Sequence, residues 1–257
     1  MRMHVEHEAR RRHLALPRFA EDPALDALVR TALDARGASK PINENSYALQ
    51  ADTLDFLSAL LALIKPPSIV EFGSGASTSV FADWAVEHGA SVVSLEHDKH
   101  WAEDVRRQLG PARAAAVRLL HAPLRPMWAG LRQYMTYRRL GDLADVVEQG
   151  ELFLLDGPHM SGREAVLYFV LAHCRPGAVL VIDDLRHYAV FEMLAGLPET
   201  VARSFAGVTI DDNSHGLFVL KCLHKPARIS MPKGNLRSVV RSYWRSLRDL
   251  RQYGTGD

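Results

Sequence analysis

The sequence predicts a doubly wound α/β fold: a mostly parallel sheet with helices on both faces, ending in a hairpin that adds an antiparallel strand. Three observations predict it. From residue 68 onward, short continuous apolar runs alternate with stretches of helical period. The runs lack the apolar–polar alternation of a half-solvated strand, so they are strands buried on both faces, and helices on each side of a sheet provide that burial. Two later runs, 201–210 and 217–223, flank Asp211-Asp212-Asn213-Ser214-His215-Gly216, a turn composition that reads as a β-hairpin.

The elements follow in order. Residues 1–18 are charged and read as a solvated arm, which takes in His4, His7 and His13. Leu25, Leu28, Val29 and Leu33 fall at helical spacing within 23–36, and Gly37 ends that helix. A loop over 38–46 leads to an apolar helical stretch, 47–64, which Lys65-Pro66-Pro67 stops. Strands are expected at 68–72, 91–96, 117–121, 152–156 and 178–183, with helices at 78–88, 99–109, 162–173 and 188–197. The stretch 127–147 is mixed and reads as helical in part, and from Lys225 a loop with Pro226 and Pro232 precedes a basic helix. Three parts result: an N-terminal arm and helical extension (1–65), a core (66–224) and a basic tail (225–257).

At 257 residues and 47% hydrophobic, the chain can bury one sizeable α/β core. A net charge of +1 gives no bulk attraction to nucleic acid, and no nucleic-acid partner is expected. Cys174 and Cys222 are too few for a disulfide scaffold and favour a reducing compartment. No apolar run approaches the roughly 20 residues that span a bilayer, and the first residues lack the apolar stretch of a secretory signal, so a cytoplasmic location is expected.

In open α/β sheets, ligands sit at the carboxyl ends of the strands. Here those ends are polar: Glu71 followed by Gly73-Ser74-Gly75, then Glu96-His97-Asp98, His121, Asp156-Gly157-Pro158-His159 and Asp183-Asp184. Gly73 and Gly75 permit a sharp turn and close approach of a ligand to the backbone, while Ser77 or Thr78 can cap the next helix. Glu96 lies 21 residues after Gly75, which fits the acidic residue about 20 positions on that accepts hydrogen bonds from a ribose. A nicotinamide dinucleotide would want a glycine where Thr78 stands, so a ligand with a ribose but no pyrophosphate fits better.

Glu-x-Gly-x-Gly after the first strand and Glu after the second resemble the class I S-adenosylmethionine-dependent methyltransferases, over about residues 66–223. The resemblance implies a Rossmann-like, seven-stranded sheet with the last strand antiparallel. It also implies that Glu71, Gly73 and Gly75 surround the methionine part of the cofactor, that Glu96 binds the ribose, and that His121 and Ala122 lie near the adenine. With Ser74, Ser77, Thr78, His97 and Asp156 these residues form the expected cofactor set. Ser77 stands where many members carry a third glycine.

The strand-ending Asp156-Gly157-Pro158-His159 and the later Asp183-Asp184 are similar to a bacterial branch of small-molecule and sugar methyltransferases. They also resemble the metal-dependent catechol-type O-methyltransferases, which implies Asp156, Asp183 and Asp184 as ligands of Mg²⁺, with Asp184 replacing an amide. Mg²⁺ takes oxygen ligands, and bound to a substrate hydroxyl it lowers that hydroxyl's pKa. Asp183-Asp184 could instead cap the following helix, and Asp156 could pair with Arg163 or Arg186. His159 and His187 are candidate general bases. The expected reaction centre is Asp156, His159, Asp183 and Asp184.

The expected activity is methyl transfer from S-adenosylmethionine to an oxygen of a small hydroxylated acceptor such as a sugar. A nicotinamide-dependent oxidoreductase, a metal-dependent oxygenase on the same fold and a non-catalytic cofactor-binding module are the alternatives. In the tail, Leu236, Val239, Val240, Tyr243, Leu247 and Leu250 share one helical face, and Arg237, Arg241, Arg245 and Arg248 another. Such a helix packs on the domain or makes weak contact with a membrane surface. The oligomeric state is not legible in the sequence.

Overall fold

The structure, a computed structural model, describes residues 14–36, 49–158, 161–227 and 229–231, and the tail positions 240, 243, 244 and 247. The arm at 1–13, the loop at 38–46, His159 and most of the tail lie outside the described residues.

Two helices precede the sheet. In α1 (Pro23–Ala35) the Asp22 carboxylate accepts from the Ala24 and Leu25 amides, capping donors that have no partner within the helix. α2 (Ala51–Ile64) ends at Lys65 in the left-handed region, with its amide bonded to Leu61, before Pro66-Pro67 bars further helix. The alternation then runs β1 (Ser68–Phe72), α3 (Ala76–His88), β2 (Ser91–Glu96), α4 (Lys99–Ala116) and β3 (Val117–His121). A separate ribbon follows, β4 (Leu124–Ala129) and β5 (Arg132–Tyr137). After it come a 3₁₀ turn (Leu140–Leu143), α5 (Ala144–Gln149), β6 (Leu152–Leu155), α6 (Ser161–His173), β7 (Val179–Ile182), α7 (Tyr188–Ala195), α8 (Glu199–Ala202), β8 (Phe205–Ile210) and β9 (Leu217–Cys222).

The main sheet has seven strands in the order β3-β2-β1-β6-β7-β9-β8. β1, β2, β3, β6 and β7 pair in parallel, while β9 runs antiparallel to β7 and to β8. The expected doubly wound sheet with its last strand antiparallel is therefore present. Alternate residues of each central strand feed two cores. Val70, Phe72, Leu155 and Ile182 join Val166 and Val170 of α6. Ile69, Leu154 and Val181 join Phe56 and Leu57 of α2 and Phe81 of α3. Both faces are covered, which is why these strands read as continuous apolar runs. The N-terminal helices thus belong to the core packing of the sheet, and a parallel bridge from Ala20 to Ala206 covers its β8 edge.

Three stretches differ from the sequence reading. The helix expected at 99–109 continues to Ala116 across a break at Gly110 (φ 71) and Pro111. The strand expected at 201–210 begins only at Phe205, after the short α8. The stretch 127–147, read as helical in part, holds the ribbon β4–β5, whose strands pair from Leu124↔Tyr137 to Ala129↔Arg132 around a Gly130-Leu131 turn. Pro126 in β4 and the partial solvation of that strand hide the ribbon's period. Close contact fixes the ribbon to α6: a Cβ on Gly162 would lie 2.0 Å from the Met135 carbonyl oxygen, and Arg132 pairs with Glu164.

Candidate active site at the carboxyl ends of the strands

The strand order reverses beside β1, so the ends of β1 and β6 mark the place where ligands of this architecture bind. Two glycines meet there. Gly73 adopts φ 98, and a Cβ at this position would lie 2.7 Å from the Gly157 nitrogen. The neighbouring strand end therefore requires a glycine at position 73. At Gly75 the backbone is open: nothing lies within 4 Å of where its Cβ would stand, and α3 begins at the next residue. An open cradle at a helix N-terminus suits the carboxylate of a methionine moiety.

Glu71 occupies a different place from the one expected. It is fully buried beneath the turn, where its carboxylate accepts from the Ser77, Thr78 and Ser94 hydroxyls. It shapes the turn from below, and Ser77 and Thr78 spend their hydroxyls on it. Burial pushes the Glu71 carboxyl up to about 7, against the opposing effect of those three hydroxyls. A carboxyl that holds its proton more tightly folded than unfolded weakens the fold as pH rises from its unfolded value, 4.5, to about 7. The wild type should lose on the order of 3 kcal/mol across that window. Urea titrations between about pH 5 and pH 8 should show this slope, and Glu71→Gln should flatten it.

Glu96 faces the turn. Its Oε2 accepts from the Ser74 amide (3.0 Å) and hydroxyl (3.2 Å), and its Oε1 from the amides of His97 (2.7 Å) and Asp98 (2.9 Å). Only the Ser74 hydroxyl bond can be given up without stranding a backbone donor, so a ribose hydroxyl would take its place. His97 Nδ1 lies 2.8 Å from Glu96 Oε1. His121 Nε2 is 3.2 Å from the His97 carbonyl oxygen, and the Ala122 amide donates to the Glu96 carbonyl (2.7 Å). The residues expected around ribose and adenine are thus gathered at the ends of β2 and β3. Trp101, which the sequence reading missed, donates its indole N–H to the Ser74 carbonyl (2.7 Å) and fastens α4 to the turn. An aromatic residue in the first turn of the helix after Glu96 was the available signal.

On the other side of β6 the carboxylates gather around a cation of the protein's own. Arg163 of α6 is 5% exposed, and its guanidinium lies 3.3 Å from Asp156 and 3.0 Å from Asp184. It also donates to the main-chain carbonyls of Asp156 and Asp183. A metal shared by Asp156, Asp183 and Asp184 would have to sit beside this buried positive charge. The three residues therefore do not fit the Mg²⁺ set read from the sequence, and Arg163 relieves their mutual repulsion instead.

His215 completes the cluster. β9 lies next to β7, so the turn between β8 and β9 reaches the same edge as Asp183 and Asp184, and the Leu185 and Arg186 amides bond to the Gly216 and His215 carbonyls (both 3.0 Å). His215 Nδ1 is 3.4 Å from Asp184 and 3.9 Å from Asp183. Asp183 is 2% exposed and its Oδ1 has no partner among the described residues. The neighbouring Asp183 carboxylate raises the His215 pKa, against desolvation, while burial raises that of Asp183. Asp184 adopts φ 62, a costly backbone conformation that is concentrated at functional sites. Of the bases expected, His159 lies outside the described residues, and His187 caps α7 by accepting from the Ala189 amide (3.3 Å).

The N-terminal extension holds the His215 turn. Asp52 of α2 accepts from the Ser214 amide (2.7 Å) and hydroxyl (2.8 Å), and Thr53 and Asn213 exchange hydrogen bonds. Asp52→Ala should cost about 1–3 kcal/mol in denaturant titration and lower turnover together with it, because the turn that carries His215 loses its anchor.

The glycine turn, the carboxylate facing it and the strand order make a Rossmann-like domain with the methyltransferase layout. The family model described as "Methyltransferase domain" matches residues 70–185, a span that includes the turn, Glu96, Asp156 and Asp183-Asp184. The match supports an S-adenosylmethionine-dependent methyltransferase. No curated protein matches the chain. Among solved structures, the Podospora anserina methyltransferase PaMTH1, bound to S-adenosylhomocysteine, aligns at TM-score 0.50 and 14% identity over 80% of this chain and 90% of its own. An RNA methyltransferase from Salinibacter ruber aligns at TM-score 0.42 and 15% identity, covering 76% of this chain and 100% of its own. The precorrin-6y C5,15-methyltransferase of Geobacter metallireducens aligns at TM-score 0.43 and 12% identity over 74% and 95% of the two chains. At 14% identity the likeness to the Podospora protein is one of fold.

Proposed function

We propose that the protein transfers the methyl group of S-adenosylmethionine to a hydroxyl oxygen of a small acceptor, with His215 receiving the acceptor's proton. The observation that carries this reading is the placement of His215 against two carboxylates at the strand ends beside the cofactor turn. Gly75 and the first amides of α3 would hold the methionine carboxylate, and Glu96 the ribose. S-adenosylmethionine supplies an activated methyl group, so the chain's task is to hold the acceptor in line and make its oxygen electron-rich.

The residues divide that task. Asp183 and Asp184 lie on the Nδ1 side of His215, which leaves Nε2 as the nitrogen that takes a proton. Their charge stabilises the imidazolium once the proton has moved, as a carboxylate does beside any histidine base. Asp156 and the unpartnered oxygen of Asp183 offer acceptors for a second hydroxyl, which favours polyhydroxylated substrates. Arg163 holds Asp156 and Asp184 in place.

The test is release of S-adenosylhomocysteine from the full chain against a panel of sugars, phenols and carboxylic acids. Acceptor-dependent release with a hydroxylated member, unchanged after EDTA treatment, is the expected result. Release driven only by RNA, or loss of activity with EDTA, would overturn the reading.

A further inference from the structure

The ribbon β4–β5 projects apolar side chains that the main core does not use. Trp128 is 59% exposed and Leu131, at the turn, 66%. Both border a cleft of about 160 Å³ together with Gln133 and, from the tail, Val240 and Tyr243. Val240, Tyr243 and Trp244 are themselves 53%, 47% and 66% exposed. The tail positions 240, 243, 244 and 247 are helical and spaced to share one face. Two elements more than 100 residues apart in sequence thus meet at one cleft lined by a tryptophan, a tyrosine and aliphatic groups, and the exposed Trp244 follows Tyr243 directly in the chain. Patches of this kind on a soluble domain mark an interaction surface.

Charge identifies the occupant. Between 233 and 251 the tail carries Lys233, Arg237, Arg241, Arg245, Arg248 and Arg251 against one acidic residue, Asp249, although the whole chain is nearly neutral. Basic residues interleaved with an exposed Trp, Tyr and Val match the interface of an anionic bilayer, where aromatic rings sit at headgroup depth and each basic group gains from the surface potential. A second copy of the chain would bring two such basic segments together, which opposes self-association through this face.

We infer that the patch formed by Trp128, Leu131, Val240, Tyr243 and Trp244 docks the protein on an anionic membrane surface. The ribbon tip enters the headgroup region, and the basic residues of the tail sequence supply the attraction to the lipid charge. This does not rest on the acceptor chemistry, since none of the five residues belongs to the site at the strand ends.

The experiment is flotation of the full chain with vesicles of phosphatidylcholine alone, and of phosphatidylcholine with about one-third phosphatidylserine. The protein should float with the anionic vesicles only and detach as salt is raised. Trp128→Ser with Leu131→Ser should reduce the bound fraction roughly tenfold or more while leaving thermal stability and S-adenosylhomocysteine binding unchanged. Trp244→Ser should act in the same direction from the other element. Absence of flotation, equal binding of the variants and the wild type, or a concentration-dependent dimer that the variants abolish in place of vesicle binding would each overturn the inference.

Discussion

Replacing His215 by Asn should lower kcat by about a hundredfold or more and leave the affinity for S-adenosylmethionine unchanged. The side chain stands among the carboxylates at the end of β7 and touches no part of the Gly73–Gly75 turn. Asp183→Asn is the more informative partner. Asp183 raises the His215 pKa, and a histidine must be neutral to accept a proton. In the wild type the acidic limb of the kcat profile should therefore lie above the ordinary histidine value. In Asp183→Asn it should move to lower pH as turnover falls. A variant that merely loosened the structure would lower activity at every pH without moving the limb.

Gly73→Ala and Gly75→Ala should separate folding from cofactor binding. At Gly73 a methyl group meets the Gly157 backbone at 2.7 Å and the residue sits at φ 98, so both sterics and backbone conformation oppose it. Thermal unfolding should show a loss of roughly 3 kcal/mol, or a Tm about 10 °C lower. At Gly75 the added methyl meets nothing within 4 Å, and a φ of 176 suits any residue. Stability should hold to within about 1 kcal/mol. Affinity for S-adenosylmethionine should nevertheless fall about tenfold or more, because the methyl occupies the approach that the ligand needs.

Most of the sheet was legible because each central strand is buried on both faces, and burial of that kind leaves an unbroken apolar run. The polar ends of those runs located the site, and Glu96, Asp156, Asp183 and Asp184 do lie along one edge. What could not be read was set by contacts between distant segments. Glu71 and Gly73 looked like ligand contacts, yet Glu71 is satisfied by Ser94 on the next strand and Gly73 is constrained by Gly157 on another. Arg163 was visible as a partner for Asp156 but not as the cation that Asp156 and Asp184 share.

His215 shows the same limit differently. It was read as part of a hairpin turn, and turns of that composition are common. Only the pairing of β9 with β7 brings it to Asp183, 32 residues earlier in sequence. An antiparallel last strand beside the strand that ends in Asp183-Asp184 already implies this meeting, so the signal existed in the topology rather than in any motif. The ribbon β4–β5 left a weaker trace, since it pairs only with itself and one of its strands contains Pro126.

Methyl transfer by this chain requires a nucleoside pocket between the Gly75 cradle and Glu96. Calorimetric titration of S-adenosylhomocysteine into the full chain and into Glu96→Gln tests it most directly. One saturable site in the wild type, weakened about tenfold or more in the variant at a temperature where the variant is still folded, is the predicted result. No binding to the wild type, or equal binding to both proteins, would contradict it.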